Sequence, residues 1–132
     1  MKKLILFLVF ILFSSLAYGK DIRQVAKEIQ EEMSNQLPQK LSKNLLLRTV
    51  MSYNETLTFN AMLLYNKNYL QTRLLQSGRT MDSIKDQMKQ MAKNIVCSSP
   101  ILLSFINLGG KLQYNYVFQN GEHYLLTKID NC

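Results

Sequence analysis

Residues 111–129 read KLQYNYVFQNGEHYLLTKI and carry the clearest local signal in the chain. Leu112, Tyr114, Tyr116 and Phe118 alternate along it as far as Asn120 and Gly121. A period of two marks a strand with one buried face, and an Asn-Gly dipeptide accepts the positive φ of a tight hairpin turn. Tyr124 to Ile129 then form the return strand. A two-residue turn pairs Phe118 with His123, Tyr116 with Leu125, Tyr114 with Thr127 and Leu112 with Ile129. That face is expected in the core, so Tyr114, Tyr116 and Phe118 read as buried packing rather than as a platform for bases or sugars.

Upstream, Leu45 to Tyr65 is rich in Leu, Thr, Val, Tyr and Phe and is interrupted at Asn54 and Glu55, which predicts a second hairpin. A two-residue turn there puts Leu46, Arg48, Val50, Leu57, Phe59, Ala61 and Leu63 on one face. The other face takes Leu45, Leu47, Met51, Tyr53, Met62 and Leu64. A half-exposed antiparallel pair should alternate more cleanly, so either both faces are covered or one meets a partner. Met51, Tyr53, Met62 and Leu64 are the candidate partner-binding residues, because exposed apolar patches commonly mark interaction sites.

Helices fill the spaces between and before the hairpins. Ile22, Val25, Ala26, Ile29 and Met33 recur at helical spacing, with Lys27, Glu28, Glu31 and Glu32 opposite, which predicts a helix from Asp21 to Gln36 stopped by Pro38. Tyr69 to Ser77 fits a short helix closed by Gly78, and also fits a strand extension. Thr80 caps a stronger helix whose stripe of Met81, Ile84, Met88, Met91, Ala92 and Ile95 runs to Cys97. Its outer face carries Lys85, Lys89 and Lys93, diluted by Asp82 and Asp86, and reads as solvated. Pro100 opens a further helix to Asn107, with Gly109 and Gly110 as its stop. The expected fold is α+β in the order α-β-β-α-α-β-β, with an antiparallel sheet of about four strands, from two hairpins, packed against an N-terminal and a central helix.

The beginning of the chain supplies an address. Met1, Lys2 and Lys3 precede an unbroken apolar run from Leu4 to Phe13, and small residues close the segment at Ala17 and Gly19. This is the pattern of a secretory signal peptide over residues 1–19, leaving one exported domain over residues 20–132. Lys2 and Lys3 supply two of the net charge of +7, so the rest of the chain carries +5. The cations are spread along the chain and no nucleic-acid-binding module is present, so no nucleic-acid role is expected. Nor does a second apolar stretch reach spanning length. A lipid anchor is not expected either, since bacterial lipoproteins resemble one another in a cysteine directly after the signal, and here the first is Cys97. Two cysteines in an exported chain, Cys97 and Cys132, are expected to form a disulfide. That bridge removes Cys97 as a nucleophile.

Residues for other chemistry are sparse. His123 is the single histidine, and adjacent Glu122 points to the other side of the strand, so the two cannot share a substrate. One histidine with two bridged cysteines makes no metal site. Glu55, Asp82 and Glu122 have no fixed separation that would suit a hydrolytic carboxylate pair. Gly109 and Gly110 lack the remainder of a phosphate-binding loop. Asn54, Glu55 and Thr56 form a glycosylation sequon, which the predicted turn explains without a glycan. No catalytic residue, metal or cofactor is assigned.

Several short patterns recur together: Leu37-Pro38 before a Leu-rich strand, Thr56-Leu57-Thr58-Phe59, Cys97 with Pro100 and Gly109, Tyr114 and Tyr116, Gly121 and a terminal Cys132. In these the chain resembles a family of small exported bacterial proteins described as quorum-sensing-regulated virulence factors. It departs from them in the Met-rich stretch from Met81 to Met91. The resemblance implies a secreted or periplasmic α+β domain associated with virulence, and carries over no reaction or catalytic residue. The sequence therefore points to a non-enzymatic protein that binds another protein through an apolar or sheet-edge surface. The alternatives are an enzyme acting on envelope polymers and a basic module binding the anionic envelope surface.

Overall fold

Asp21 opens the first helix by accepting the Arg23 N–H on its carboxylate at 3.1 Å. The structure is a computed structural model that describes residues 21–132, so the expected signal segment, Met1 to Gly19, lies outside the described residues. Helix α1 (Ile22–Ser34) buries Val25, Ala26 and Ile29. Strands β1 (Gln39–Ser42), β2 (Leu45–Tyr53) and β3 (Thr56–Leu63) follow, then helices α2 (Lys67–Ser77), α3 (Met81–Ser98) and α4 (Pro100–Asn107). Strands β4 (Lys111–Val117) and β5 (His123–Ile129) complete the fold.

Local chemistry sets the helix ends. Asn66 accepts the Tyr69 N–H at 2.9 Å to start α2, and Gly78 at φ +70° ends it. Thr80 caps α3 through the Ser83 N–H at 3.1 Å, and Pro100 takes the first turn of α4 behind Ser99. Residues 69–77 are thus helical, which resolves the two readings that the sequence left open.

The fold is α+β, with five strands in the order β1-β2-β3-β4-β5. Two features differ from the expected four-stranded antiparallel sheet. A short edge strand, β1, pairs antiparallel to β2, and β3 pairs parallel to β4 from Thr56↔Lys111 to Met62↔Val117. Parallel neighbours need a long crossover, and α2, α3 and α4 provide it.

The first hairpin turns at Asn54, whose φ of +52° is a left-handed conformation that Asn tolerates. Its register follows the expectation from Tyr53↔Thr56 to Thr49↔Asn60 and then breaks at a bulge between Leu47 and Thr49. The extra residue turns β2 over, so Leu47 is buried and Leu45 packs against the core, while Leu46 and Arg48 leave it. The bulge therefore explains why the sequence shows apolar residues on both supposed faces.

In the second hairpin the pairs Leu112↔Ile129, Tyr114↔Thr127 and Tyr116↔Leu125 stand as read. The turn does not. Gly121 N–H donates to Phe118 O and Phe118 N–H donates to Glu122 O, both at 2.8 Å, which encloses three residues rather than two. Only Gly121 takes positive φ there, at +88°, so the turn closes with a bulge and His123 pairs with Val117 instead of Phe118.

The inward residues of the sheet and the helices make one core, with Phe59, Phe105 and Phe118 its largest fully buried side chains. Tyr114 and Tyr116 lie within it, their rings 5.8 Å apart. Helix α3 is turned slightly from its expected stripe: Ala92 and Val96 are buried, whereas Met91 and Ile95 are half exposed. It packs chiefly against α4 and β5, and so buries a narrow face.

Candidate interaction site on the open sheet face

The helices share one side of the sheet, and on the other side no outward residue of β2 to β5 is buried. Its outward positions include Met51 and Tyr53 on β2, Thr58, Asn60 and Met62 on β3, Gln113, Asn115 and Val117 on β4, and Leu126 and Lys128 on β5. Met51 is 57% and Tyr53 80% exposed, large values for apolar side chains on a sheet. Met62 and Leu64 are half-buried.

The four candidate residues do not form one continuous patch. Met51 and Tyr53 stand at the turn end of the hairpin, Met62 and Leu64 at the other, and a polar row separates them. In that row Asn115 Nδ2 donates to Asn60 Oδ1 at 3.2 Å, and Asn60 Nδ2 donates to Thr49 Oγ1 at 2.9 Å. Gln113 Nε2 likewise donates to Thr58 Oγ1 at 2.8 Å. The face is thus mixed, with apolar ends and an amide–hydroxyl belt across three strands.

Arg48, released from the core side by the bulge, stands over this belt with its Nη1 3.9 Å from the Met62 sulfur. A shallow cavity of about 180 Å³ lies there, lined by Arg48, Thr49, Asn60, Ala61, Asn115 and Val117. Sequence reasoning missed these polar residues as a group. Their alternation in Thr56, Thr58 and Asn60 and again in Gln113 and Asn115 was visible, but only the parallel pairing brings the two runs side by side.

Other chemistry is placed as follows. Cys97 and Cys132 are bridged, with Cα atoms 5.7 Å apart, tying the end of α3 to the end of the chain. His123 is exposed, and Glu122 lies 3.8 Å from Lys67. Lys85 stands 5.5 Å from the Tyr124 ring centroid, while Lys89 and Lys93 are exposed. Among the described residues no group of three or more His, Cys, Asp or Glu could hold a metal ion, and no helix is long and apolar enough to cross a membrane. Burial pushes the Tyr114 hydroxyl up to about 12 and raises Tyr116 further, and both rings belong to the core.

This arrangement, a mixed five-stranded sheet with one side covered by helices, has counterparts among solved structures. The fold resembles that of type II secretion pilotins. The pilotin EpsS of Vibrio vulnificus matches with a TM-score of 0.64 at 10% identity, over 82% of this chain and 86% of that one. The pilotin AspS of Vibrio cholerae matches with 0.60 at 12%, over 82% and 87%. A Pseudomonas aeruginosa protein described as secreted matches with 0.61 at 14%, over 83% and 88%. At such identities the likeness concerns the fold. No family model and no curated protein matches the sequence, so the specific virulence-factor family is not supported by a family match.

Proposed function

We propose that this chain is an exported, non-enzymatic binding protein that docks a protein partner on the open face of its sheet, as an accessory of an envelope secretion assembly. The observation that carries the reading is the exposure of Tyr53 and Met51 on a sheet face that none of the described helices covers. Tyrosine and methionine suit such a role, since each offers large apolar contact area and Tyr adds a polar tip. The fold shared with two type II secretion pilotins supports a place in a secretion system, and the Cys97–Cys132 bridge suits an oxidising compartment. The association with virulence implied by the family resemblance belongs to the same reading.

The test is site-specific photo-cross-linking of the full chain in a secreting bacterium. A benzophenone side chain at position 53 should give one discrete adduct with a second protein, and the adduct should vanish in a Met51→Asp background that retains the wild-type melting temperature. Position 75 is the control, because Leu75 is exposed on α2, away from the sheet face. An adduct from position 75 and none from position 53 would sink the assignment to the sheet face.

A further inference from the structure

Every acidic side chain of this protein lies outside the sheet. Strands β1 to β5 contain Lys40, Arg48, Lys111, Lys128 and His123 and not one Asp or Glu. Such a segregation gives the open face a positive potential that favours an anionic partner.

Within that face Arg48 is singular. The bulge in β2 re-aims it to the open side, a use of bulges common beside binding sites. It has no carboxylate partner among the described residues; its contact is with the Met62 sulfur at 3.9 Å. A guanidinium carries five donors arranged to meet a carboxylate with two parallel bonds, so most of its capacity is unused.

The neighbouring amides complete the recognition set. Asn is depleted in strands, yet Asn60 and Asn115 sit mid-strand, directly paired in register. Their hydrogen bonds run one way, from Asn115 to Asn60 to Thr49. That direction leaves the Asn115 carbonyl oxygen free to accept and the Thr49 hydroxyl proton free to donate. The cavity of about 180 Å³ between them and Arg48 has room for one side chain, too little for a helix.

We infer that the open face seats an extended acidic segment of the partner, with one Asp or Glu carboxylate held by Arg48 and Thr49 and an adjacent backbone N–H received by Asn115. This rests on the protein-docking reading above and adds the chemistry of the partner. The apolar pairs at either end fix the rest of the pattern. Residues two apart on an extended chain stand about 7 Å apart on one side, so an apolar-x-acidic-x-apolar run places its outer residues toward Met51 and Tyr53 at one end and Met62 and Leu64 at the other.

The experiment titrates the ¹⁵N-labelled protein with the peptide acetyl-LTETL-amide and with its neutral counterpart acetyl-LTQTL-amide. The acidic peptide should shift the side-chain amide resonances of Asn60 and Asn115 and bind about tenfold or more tightly than the neutral one, the preference expected of a charged hydrogen bond. Arg48→Gln should erase that preference while leaving the resonances of the core unchanged. Equal binding of both peptides, or shifts confined to α2 and α3, would overturn the inference even if cross-linking at position 53 succeeds. Trigalacturonate is the second arm: stronger shifts of the same amides by this acidic sugar would overturn the peptide in favour of a glycan. Failure of the position-53 adduct removes the docking reading itself, so the two failures are separable.

Discussion

Phe59 and Tyr114 stack across the parallel β3–β4 pair, with ring centroids 4.9 Å apart and an interplanar angle of 16°. One residue further along the same pair, on the opposite face, Asn115 donates to Asn60. The join between the two hairpins is therefore held from both sides, by rings in the core and by amides in the open. Phe59→Ala should destabilise the domain by about 3–5 kcal/mol, since a fully buried ring leaves a cavity that the sheet cannot close. Urea unfolding measures this, and a loss below about 1 kcal/mol would contradict a core role.

Gly110 abuts the ring of Phe105. A β-carbon at Gly110 would stand 2.5–2.6 Å from three ring atoms, and Phe105 is only 1% exposed, so the ring has nowhere to move. Gly110→Ala should cost about 1–3 kcal/mol by overpacking. Adding Phe105→Leu should recover part of that cost, which a double-mutant cycle detects as coupling.

The bridge between Cys97 and Cys132 closes a sequence separation of 35 residues around α4, β4 and β5. In the chain-entropy account its removal should lower stability by about 3–4 kcal/mol. Urea midpoints of the wild type and of Cys97→Ser/Cys132→Ser give the number. A drop of less than about 1 kcal/mol would mean that the unfolded chain gains little freedom from the open loop.

Alkaline pH should weaken the fold before it ionises the core. Tyr114 is pushed by burial from the ordinary 10.0 up to about 12, and Tyr116 moves in the same direction. The unfolded chain therefore loses phenolic protons first as pH rises. Their contribution is fully present below pH 10 and is lost progressively toward about 12. Denaturant midpoints should hold up to about pH 9 and fall by about pH 11, with tyrosinate absorbance appearing on unfolding. The fall should be shallower in Tyr114→Phe, and a midpoint unchanged across that interval would count against the buried phenols.

Much of the fold was legible because its signals are local. Gly78, Thr80 and Pro100 stop or start helices through groups within a few residues of themselves, and the observed ends follow them, whereas the cap at Asn66 starts its helix two residues before the expected Tyr69. The candidate site was legible only in part. Alternation puts Met51 and Tyr53 on one face of β2, and both are exposed there, but the same alternation without a bulge puts Arg48 on the opposite face and so hides the polar part of the surface. Nothing near Arg48 announces a bulge. Its position reflects which of Leu46 or Leu47 packs better against α1 and β3, a competition settled by the whole core.

Contacts between near neighbours made β2 to β5, the helix boundaries at Gly78, Thr80 and Pro100, the two hairpins and the core stripe from Leu112 to Phe118 readable from residue order alone; the short edge strand β1 carried no such signal. Three features came from the packing of distant segments: β3 and β4 lie parallel, α3 buries Val96 beside the expected Ala92 while Met91 and Ile95 stay half exposed, and Asn60 meets Asn115 beneath Arg48. Asn60 and Asn115 alone are separated by 55 residues of chain. Their meeting depends on the area buried when three crossover helices close over one side of the sheet, and no periodicity of either strand encodes that sum.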